Sequence, residues 1–493
     1  MNKKTCLLVS LIILLALPLL ANNISIDGDV TLTDQNTTED YINIEFDISW
    51  DNSWKTSSAP NNWDAAWVFA KWKLTSGSVW AHCTLSTTDG DHSAPTGSTI
   101  DAASDGTGIF IYLSADGSGS NNWDNAKLRW NYDTDLVADD ATVDVKVFAI
   151  EMVNIPQGDF YLGDGSSHGT FRIVADNTPV PITTTGVVVM CEGTSYDDTQ
   201  LEGAGILVDG DGGISYTEDI SIDNANYPTG YAAFYCMKYE ISQGQWVDFF
   251  NTLTGTQKGN RDITDAAGKN SDDVVYRNTV SWETGDATCT RSDRACNYLS
   301  WADGAAYSDW AGLRPMTELE FEKACRGSNS AVAGEYAWGS TIAAPTTISR
   351  AEDGTETVNG NCNYSWGSDF SGGDGGRGPL RCGIFAKSGT SRQDAGASYY
   401  GVMEMSGNLR ERAVTLGNAT GRTFTGTHGN GELEGGGNAD IEYWPGTNAS
   451  GAGFRGGDWN SVATGLHVSY RYHAARTYAS RAYYYGFRSA RTK

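Results

Sequence analysis

Few residues in this 493-residue sequence are of a type able to do redox, metal or nucleophile chemistry, and they sit far apart. Of nine cysteines, Cys6 lies before an N-terminal apolar run, and the others extend only as far as Cys382. Cys289 and Cys296 are close, as are Cys362 and Cys382. Neither spacing is that of a zinc site, no histidine pair stands beside them, and disulfide connectivity stays open. The six histidines are His82, His92, His168, His428, His467 and His473. His467 and His473 do not have the spacing of a known ligand pair. GAGILVDGDGG at Gly203 holds a GxG without the rest of a phosphate loop, and no helix pattern follows it. Asp209 and Asp211 fall outside an EF-hand frame, and no GxSxG elbow occurs. The densest chemistry is at the C-terminal end. There Trp459, Tyr470, Tyr472, Tyr478, Tyr483, Tyr484 and Tyr485 are interleaved with Arg471, Arg476 and Arg481. Tyrosine and arginine give large contact area, few rotors and a polar tip, the properties of a recognition surface.

The elements that must carry these residues fall into two regions behind a leader. Lys3 and Lys4, the apolar stretch Leu7 to Leu20 and Ala21 read as a secretory signal over residues 1–21, too short to span a bilayer. The mature protein is then expected outside the cytoplasm: secreted, periplasmic or at the cell surface. No later segment is apolar enough to cross a membrane. Residues 22–150 read as an all-β domain, with a sandwich as the natural architecture. Ile42, Ile44, Phe46, Ile48 and Trp50 alternate on one face, and Val143, Val145, Val147 and Ala149 do the same near its end. NNWDAAWVFAKW at Asn61 is echoed by NNWDNAKLRW at Asn121. Trp50, Trp54, Trp63, Trp67 and Trp72 could stack on sugar, but core packing is the preferred reading.

Residues 151–493 read as α+β, with much of the fold in ordered loops. YEISQGQWVDFFNTL opens on a capping box, Ser242 and Gln245, with Trp246, Phe249, Phe250 and Leu253 on one face. SWADGAAYSDWAG gives a second helix, and Thr317 with Glu320 caps a third. After Arg326 the chain is glycine-rich and loop-dominated.

Seven segments in this order resemble the formylglycine-generating-enzyme, or sulfatase-modifying-factor, family. They are MVNIPQGDFYLG at Met152, MKYEISQGQWVDFFN at Met237, SWADGAAYSDWAGLRPMTELEFEKACRG at Ser300, YAWGS at Tyr336, GVMEMSGNLRER at Gly401, FRGGDWN at Phe454 and YGFRSAR at Tyr485. The resemblance covers residues 151–493 and implies a C-type-lectin-like fold. It also implies two calcium ions. One would take the Glu404 and Glu411 side chains with the carbonyls of Gly407 and Leu409. The other would take Asn363, Asp374 and the carbonyls of Tyr364 and Gly376. Hard Ca²⁺ takes oxygen ligands, and a tight glycine turn can aim several at one point.

Family enzymes oxidise a substrate cysteine to formylglycine, using two cysteines of the C-terminal segment that hold copper. Here one of those positions falls near Trp459 to Ser461 and the other at Val468, and neither is a thiol. The family partner of Cys325 reads His473, and the second family disulfide reads Ser308 and Ser489. Copper is therefore not expected, and the domain reads as a pseudoenzyme. The alternative is a metal-dependent oxidase with non-haem iron, as in the related ergothioneine-pathway branch, or an atypical copper site. Only His428, His467 and His473 would serve the iron site.

The C-terminal segment also resembles the variable region of retroelement-diversified lectin-fold proteins. Trp459, Tyr470, Arg471, Tyr472, His473, Arg476, Tyr478, Arg481 and Tyr483 are the expected ligand contacts. The formal charge of −27, or −29 once Lys3 and Lys4 leave with the signal, argues against nucleic acid as a partner. From Arg455 onward seven basic residues face Asp458 alone, which suits a protein, glycan or anionic ligand.

Overall fold

The computed structural model describes residues 23–166, 170–173, 178–185, 188–191, 206–207, 220–222, 224–345, 347–348, 358–365, 377–387 and 389–493. The signal segment, His168, Asp209, Asp211, Asp374 and Gly376 lie outside the described residues.

The fold is mixed and strand-rich with few helices. Two antiparallel sheets face each other at the N-terminal end. In the smaller, Ser25–Asn36 (β1) pairs with Tyr41–Lys55 (β2), and β2 with Gly117–Trp130 (β6). The larger contains Asp64–Leu74 (β3), Ser98–Ala102 (β4), Ile109–Leu113 (β5) and Val143–Ile155 (β7). The expected β2 alternation is present: Ile44, Phe46, Ile48 and Trp50 all point into the core between the sheets. They meet Val68 and Ala70 of β3, Ile109 and Ile111 of β5, and Leu128 and Trp130 of β6.

The larger sheet does not stop at residue 150. β7 pairs with β3 on one side, Trp67 opposite Ile150, and on the other with Phe234–Met237 (β8), Cys236 opposite Val153. β8 pairs in turn with the C-terminal strand, and the order runs β9-β12-β8-β7-β3-β5-β4, where β9 is Arg314–Pro315 and β12 is Ser489–Arg491. One sheet therefore joins the two stretches that the composition divides at residue 150. Both its faces are covered. Trp67 and Phe69 of β3 and Ile150 and Met152 of β7 turn away from the N-terminal core, toward helices Gln243–Asn251 (α1) and Trp301–Trp310 (α2). The five tryptophans considered as a sugar platform divide among these cores: Trp50 and Trp72 pack in one, Trp63 and Trp67 in a second, Trp54 against a third.

The three expected helix starts are present. Ser242, Ser300 and Thr317 each accept from the backbone N–H three residues on, with Gln245, Asp303 and Glu320 returning the bond. The last of these opens Glu318–Arg326 (α3), whose side chains are all buried. Farther on, Glu411–Val414 (β10) pairs with Ala452–Arg455 (β11), Glu411 opposite Arg455.

Candidate functional site

The site is built on a buried ionic lattice. Of three glutamates on α3, Glu318 and Glu322 meet arginines from the chain's far end, and Glu320 meets Arg314 just before the helix. Glu318 accepts from Arg471 at 2.7 and 2.8 Å and from Arg455 at 3.1 Å. Glu322 accepts from Arg455 at 2.6 Å, and Glu320 holds Arg314 through two bonds at 2.8 and 2.6 Å. Burial alone would raise the Glu318 carboxyl, but Arg471 and Arg455 outweigh it and hold the group below its ordinary range. Arg455 also donates to the Val468 carbonyl at 2.7 Å, so the lattice fixes the path of the segment after FRGG.

That segment encloses a cavity of about 150 Å³ lined by Arg410, Phe454 to Gly457, Ser461, Val462, Gly465, Tyr470 and His473. Beside its mouth runs a ladder of rings: Tyr470 and Tyr472 stack at 6.2 Å, and Tyr472 meets His473 edge-on at 4.9 Å. The Arg476 guanidinium lies 5.6 Å from the Tyr472 ring and 5.5 Å from that of Tyr478. Tyr472 is 40% exposed and Tyr478 46%.

Five expected ligand contacts are thus brought together: Tyr470, Tyr472, His473, Arg476 and Tyr478. The other four need correction. Trp459 is fully buried in an apolar cluster, its indole donating to the Tyr483 carbonyl at 3.2 Å. Arg471 is fully buried on Glu318. Arg481 forks onto the buried Asp303 at 2.7 and 2.9 Å, and together with Arg261 holds that carboxyl at about 2 against its burial. Tyr483, half-buried, stacks at 4.4 Å on the exposed Tyr276. Trp459, Arg471 and Arg481 are thus taken up by internal packing or pairing, while Tyr483 stays half-buried. Arg410, Ser461 and Val462 line the cavity and were not singled out in the sequence. Arg410 is hidden there within a motif otherwise read as a metal loop.

Of the two positions expected for catalytic thiols, the stretch Trp459 to Ser461 runs from a buried indole to a half-buried serine on the cavity wall, and Val468 is buried. Val468 is 1% exposed in an apolar cluster with Cys325, Cys236, Phe321 and Met405. The pair read in place of a family disulfide, Ser308 and Ser489, lies fully buried with its hydroxyl oxygens 2.8 Å apart. Cys382 is buried beside Trp459, and burial pushes its thiol well above the ordinary range.

The three histidines considered for iron have separate surroundings. His428 sits between Asp105, 3.5 Å away, and the Thr492 hydroxyl at 2.7 Å. His467 meets Tyr336 edge-on at 4.9 Å, while His473 lines the cavity.

The loop expected to bind calcium is tightly folded. Glu404 has φ 56° and Gly407 φ 100°. The Glu404 Oε1 accepts from Gly383 N at 2.7 Å, and the Glu411 Oε1 from Arg488 at 2.9 Å. The second oxygen of each carboxylate, Glu404 Oε2 and Glu411 Oε2, is buried and has no hydrogen-bond partner. Burial pushes the Glu404 carboxyl up to about 7 and raises Glu411 as well. Two buried oxygens lacking donors fit a hard cation. Among the described residues no three His, Cys, Asp or Glu side chains gather as a metal cluster, but this loop would use only two, with carbonyls. Of the other expected site, Asn363 Oδ1 is likewise buried without a partner, and the Asn363 carbonyl accepts from Asn408 N at 2.9 Å, joining the two loops.

Comparison with known proteins gives the same family as the seven motifs. Residues 141–493 match the family described as "Sulfatase-modifying factor enzyme 1-like domain". A stretch of 118 residues is 28% identical to hercynine oxygenase of Mycobacterium tuberculosis, covering 22% of this chain and 27% of that protein. The match thus spans about a quarter of the relative's length. Treponema denticola variable protein 1 is a similar solved structure, at 14% identity and a TM-score of 0.33, covering 70% of this chain and 96% of that one. With the family match running over most of its length, the chain belongs to the sulfatase-modifying factor enzyme 1-like family.

Proposed function

We propose that this protein is an exported, calcium-stabilised member of its family that binds a ligand and does not perform the family's thiol oxidation. The observation that carries the reading is Val468, a buried aliphatic side chain where a copper-binding thiol is expected. Valine can neither hold Cu(I) nor form a mixed disulfide, and no cysteine follows Cys382. The fold of residues 151–493 is taken as C-type-lectin-like, with the facing N-terminal sheets as a sandwich. Glu404, Glu411 and the carbonyls of Gly407 and Leu409 would hold one calcium. Asn363, Asp374, Tyr364 and Gly376 would hold the other. The ion's part is to neutralise buried carboxylates and pin the loop under the cavity. Ligand contact falls to Tyr470, Tyr472, His473, Arg476 and Tyr478, with a protein, glycan or anionic molecule as the partner.

A second reading, an oxidoreductase with a non-thiol metal centre, is favoured by the partial match to hercynine oxygenase. Metal analysis of the purified mature chain separates the two. Calcium alone is expected, and stoichiometric iron or copper would replace the first reading with the second. A Cys-x-Pro-x-Arg peptide should yield no aldehyde, and aldehyde formation would show that the C-terminal segment has been aligned wrongly.

A further inference from the structure

We propose that the cavity beside Arg410 takes a carboxylate group of the ligand, a step that rests on the binding reading above. Arg410 rises from the loop before β10 into the cavity wall. Its Nε donates to Asp458 Oδ2, and its guanidinium lies over the Tyr484 ring at 5.0 Å. Asp458 is fully buried and is itself fixed, accepting from the Ser461 hydroxyl at 2.9 Å and from Asn460 N at 2.6 Å. The inner edge of the guanidinium is therefore clamped by a buried carboxylate that two further hydrogen bonds hold in place. The outer edge, Nη1 and Nη2, makes no hydrogen bond among the described residues, and 18% of the side chain meets solvent. A guanidinium fork held on one side and open on the other presents two parallel N–H donors, the complement of a carboxylate's two oxygens.

Charge and size narrow the class. The other guanidinium on the wall, Arg455, is already paired with Glu318 and Glu322, and Asp458 balances Arg410. Attraction for an anion therefore rests on the open donors of Arg410 and not on net charge, and the second charge of a dianion would stand uncompensated close to the buried Asp458. A monoanion with a planar fork fits where a phosphate ester does not. About 150 Å³ admits an acidic group with little more than a single ring, so the remainder of a larger ligand would lie outward over Tyr472 and Tyr478. The proposal thus gives the exposed tyrosines a neighbour, an acidic anchor in the cavity with apolar or sugar contact on the rim.

The test is titration of the full mature chain with propionate and with propionamide, its neutral isostere, followed by calorimetry. Propionate is expected to bind saturably and about tenfold more tightly than propionamide. Arg410→Gln should erase that difference. Because Arg410 also satisfies Asp458, a second variant leaves the clamp intact. Val462→Asp, at a cavity-lining residue 69% exposed, sets a like charge at the mouth and should weaken propionate while leaving the melting temperature unchanged. N-acetyl-aspartic acid amide and glucuronate then tell whether an acidic side chain or an acidic sugar is the better source of the group. Equal binding of propionate and propionamide, or propionate binding unmoved by Val462→Asp, would overturn the proposal and leave the metal and aldehyde results untouched. Stoichiometric iron in a chain that still prefers propionate would instead overturn the non-catalytic reading alone.

Discussion

Arg471 and Arg476 belong to one short segment and have opposite environments. Arg471 is fully buried, with Glu318 as its counter-ion. Arg476 is half-buried, its guanidinium between two exposed tyrosine rings. The same contrast separates Trp459 and Arg481 from Tyr472 and Tyr478. Within a run of uniform composition, the inner residues are those for which α2 or α3 supplies a carboxylate, or an apolar cluster supplies a pocket. The outer ones, Tyr472 and Tyr478, keep much of their rings in solvent. The proposed recognition surface is the outward half of a segment whose inward half is bolted to the scaffold.

Cutting the inner half is the most severe way to test this division. Arg471→Ala leaves Glu318 buried with Arg455 as its remaining counter-ion, and breaking such a pair costs about 3–5 kcal/mol. Arg476→Ala should stay within about 0.5 kcal/mol of the parent. Urea midpoints of the two variants read the difference directly. Equal losses would erase the distinction between inner and outer residues.

A pH titration extends the contrast to a buried group whose neighbouring carboxylate, Asp105, does not outweigh its burial. Burial pushes the His428 ring down to about 4, whereas the unfolded chain takes the proton near 6.5. The unfolded state therefore binds more protons between these values. The stabilising contribution is full above pH 6.5 and is lost as pH falls toward 4, by about 3 kcal/mol at most. His428→Gln should flatten this part of the stability profile. An unchanged acid limb would mean that the ring is charged in the fold.

Ser308 and Ser489 probe a smaller internal contact. Their hydroxyls bond at 2.8 Å in a fully buried site, so Ser308→Ala strands the Ser489 oxygen and should cost about 1–2 kcal/mol in thermal unfolding. Replacing both with cysteine should give a bridge visible as a mobility shift without reductant. A double variant that stays reduced under oxidising conditions would mean that the two side chains do not face each other as the bond requires.

What the sequence made legible is local. The capping boxes at Ser242 and Thr317 are read within four residues, and the β2 alternation within ten, because their periods are set by backbone geometry. The Ser308–Ser489 pairing was legible only through the family motifs, since 181 residues separate the two. The ionic lattice was not legible: Glu318 and Arg471 are 153 residues apart, and nothing local in YRYHAAR marks which arginine turns inward. The continuity of the large sheet was hidden for a related reason. β7 is covered on both faces, so its alternation near Val143 looked like the end of a domain when the strand in fact continues to Ile155.

The smallest stability effect carries the most functional weight. Tyr472 and Tyr478 are 40% and 46% exposed, and their rings touch chiefly His473, Tyr470, Phe454 and Arg476. Changing either to alanine removes little buried area, so each should shift the unfolding midpoint by no more than about 0.5 kcal/mol. Exposed Tyr and Arg side chains that contribute little to folding are free to be selected for contact. A melting curve indistinguishable from the parent's, for the double Tyr472→Ala/Tyr478→Ala variant, is the expected result. A loss on the scale of Arg471→Ala would place the ladder inside the scaffold, and the surface assigned to ligand contact would shrink to the mouth of the Arg410 cavity.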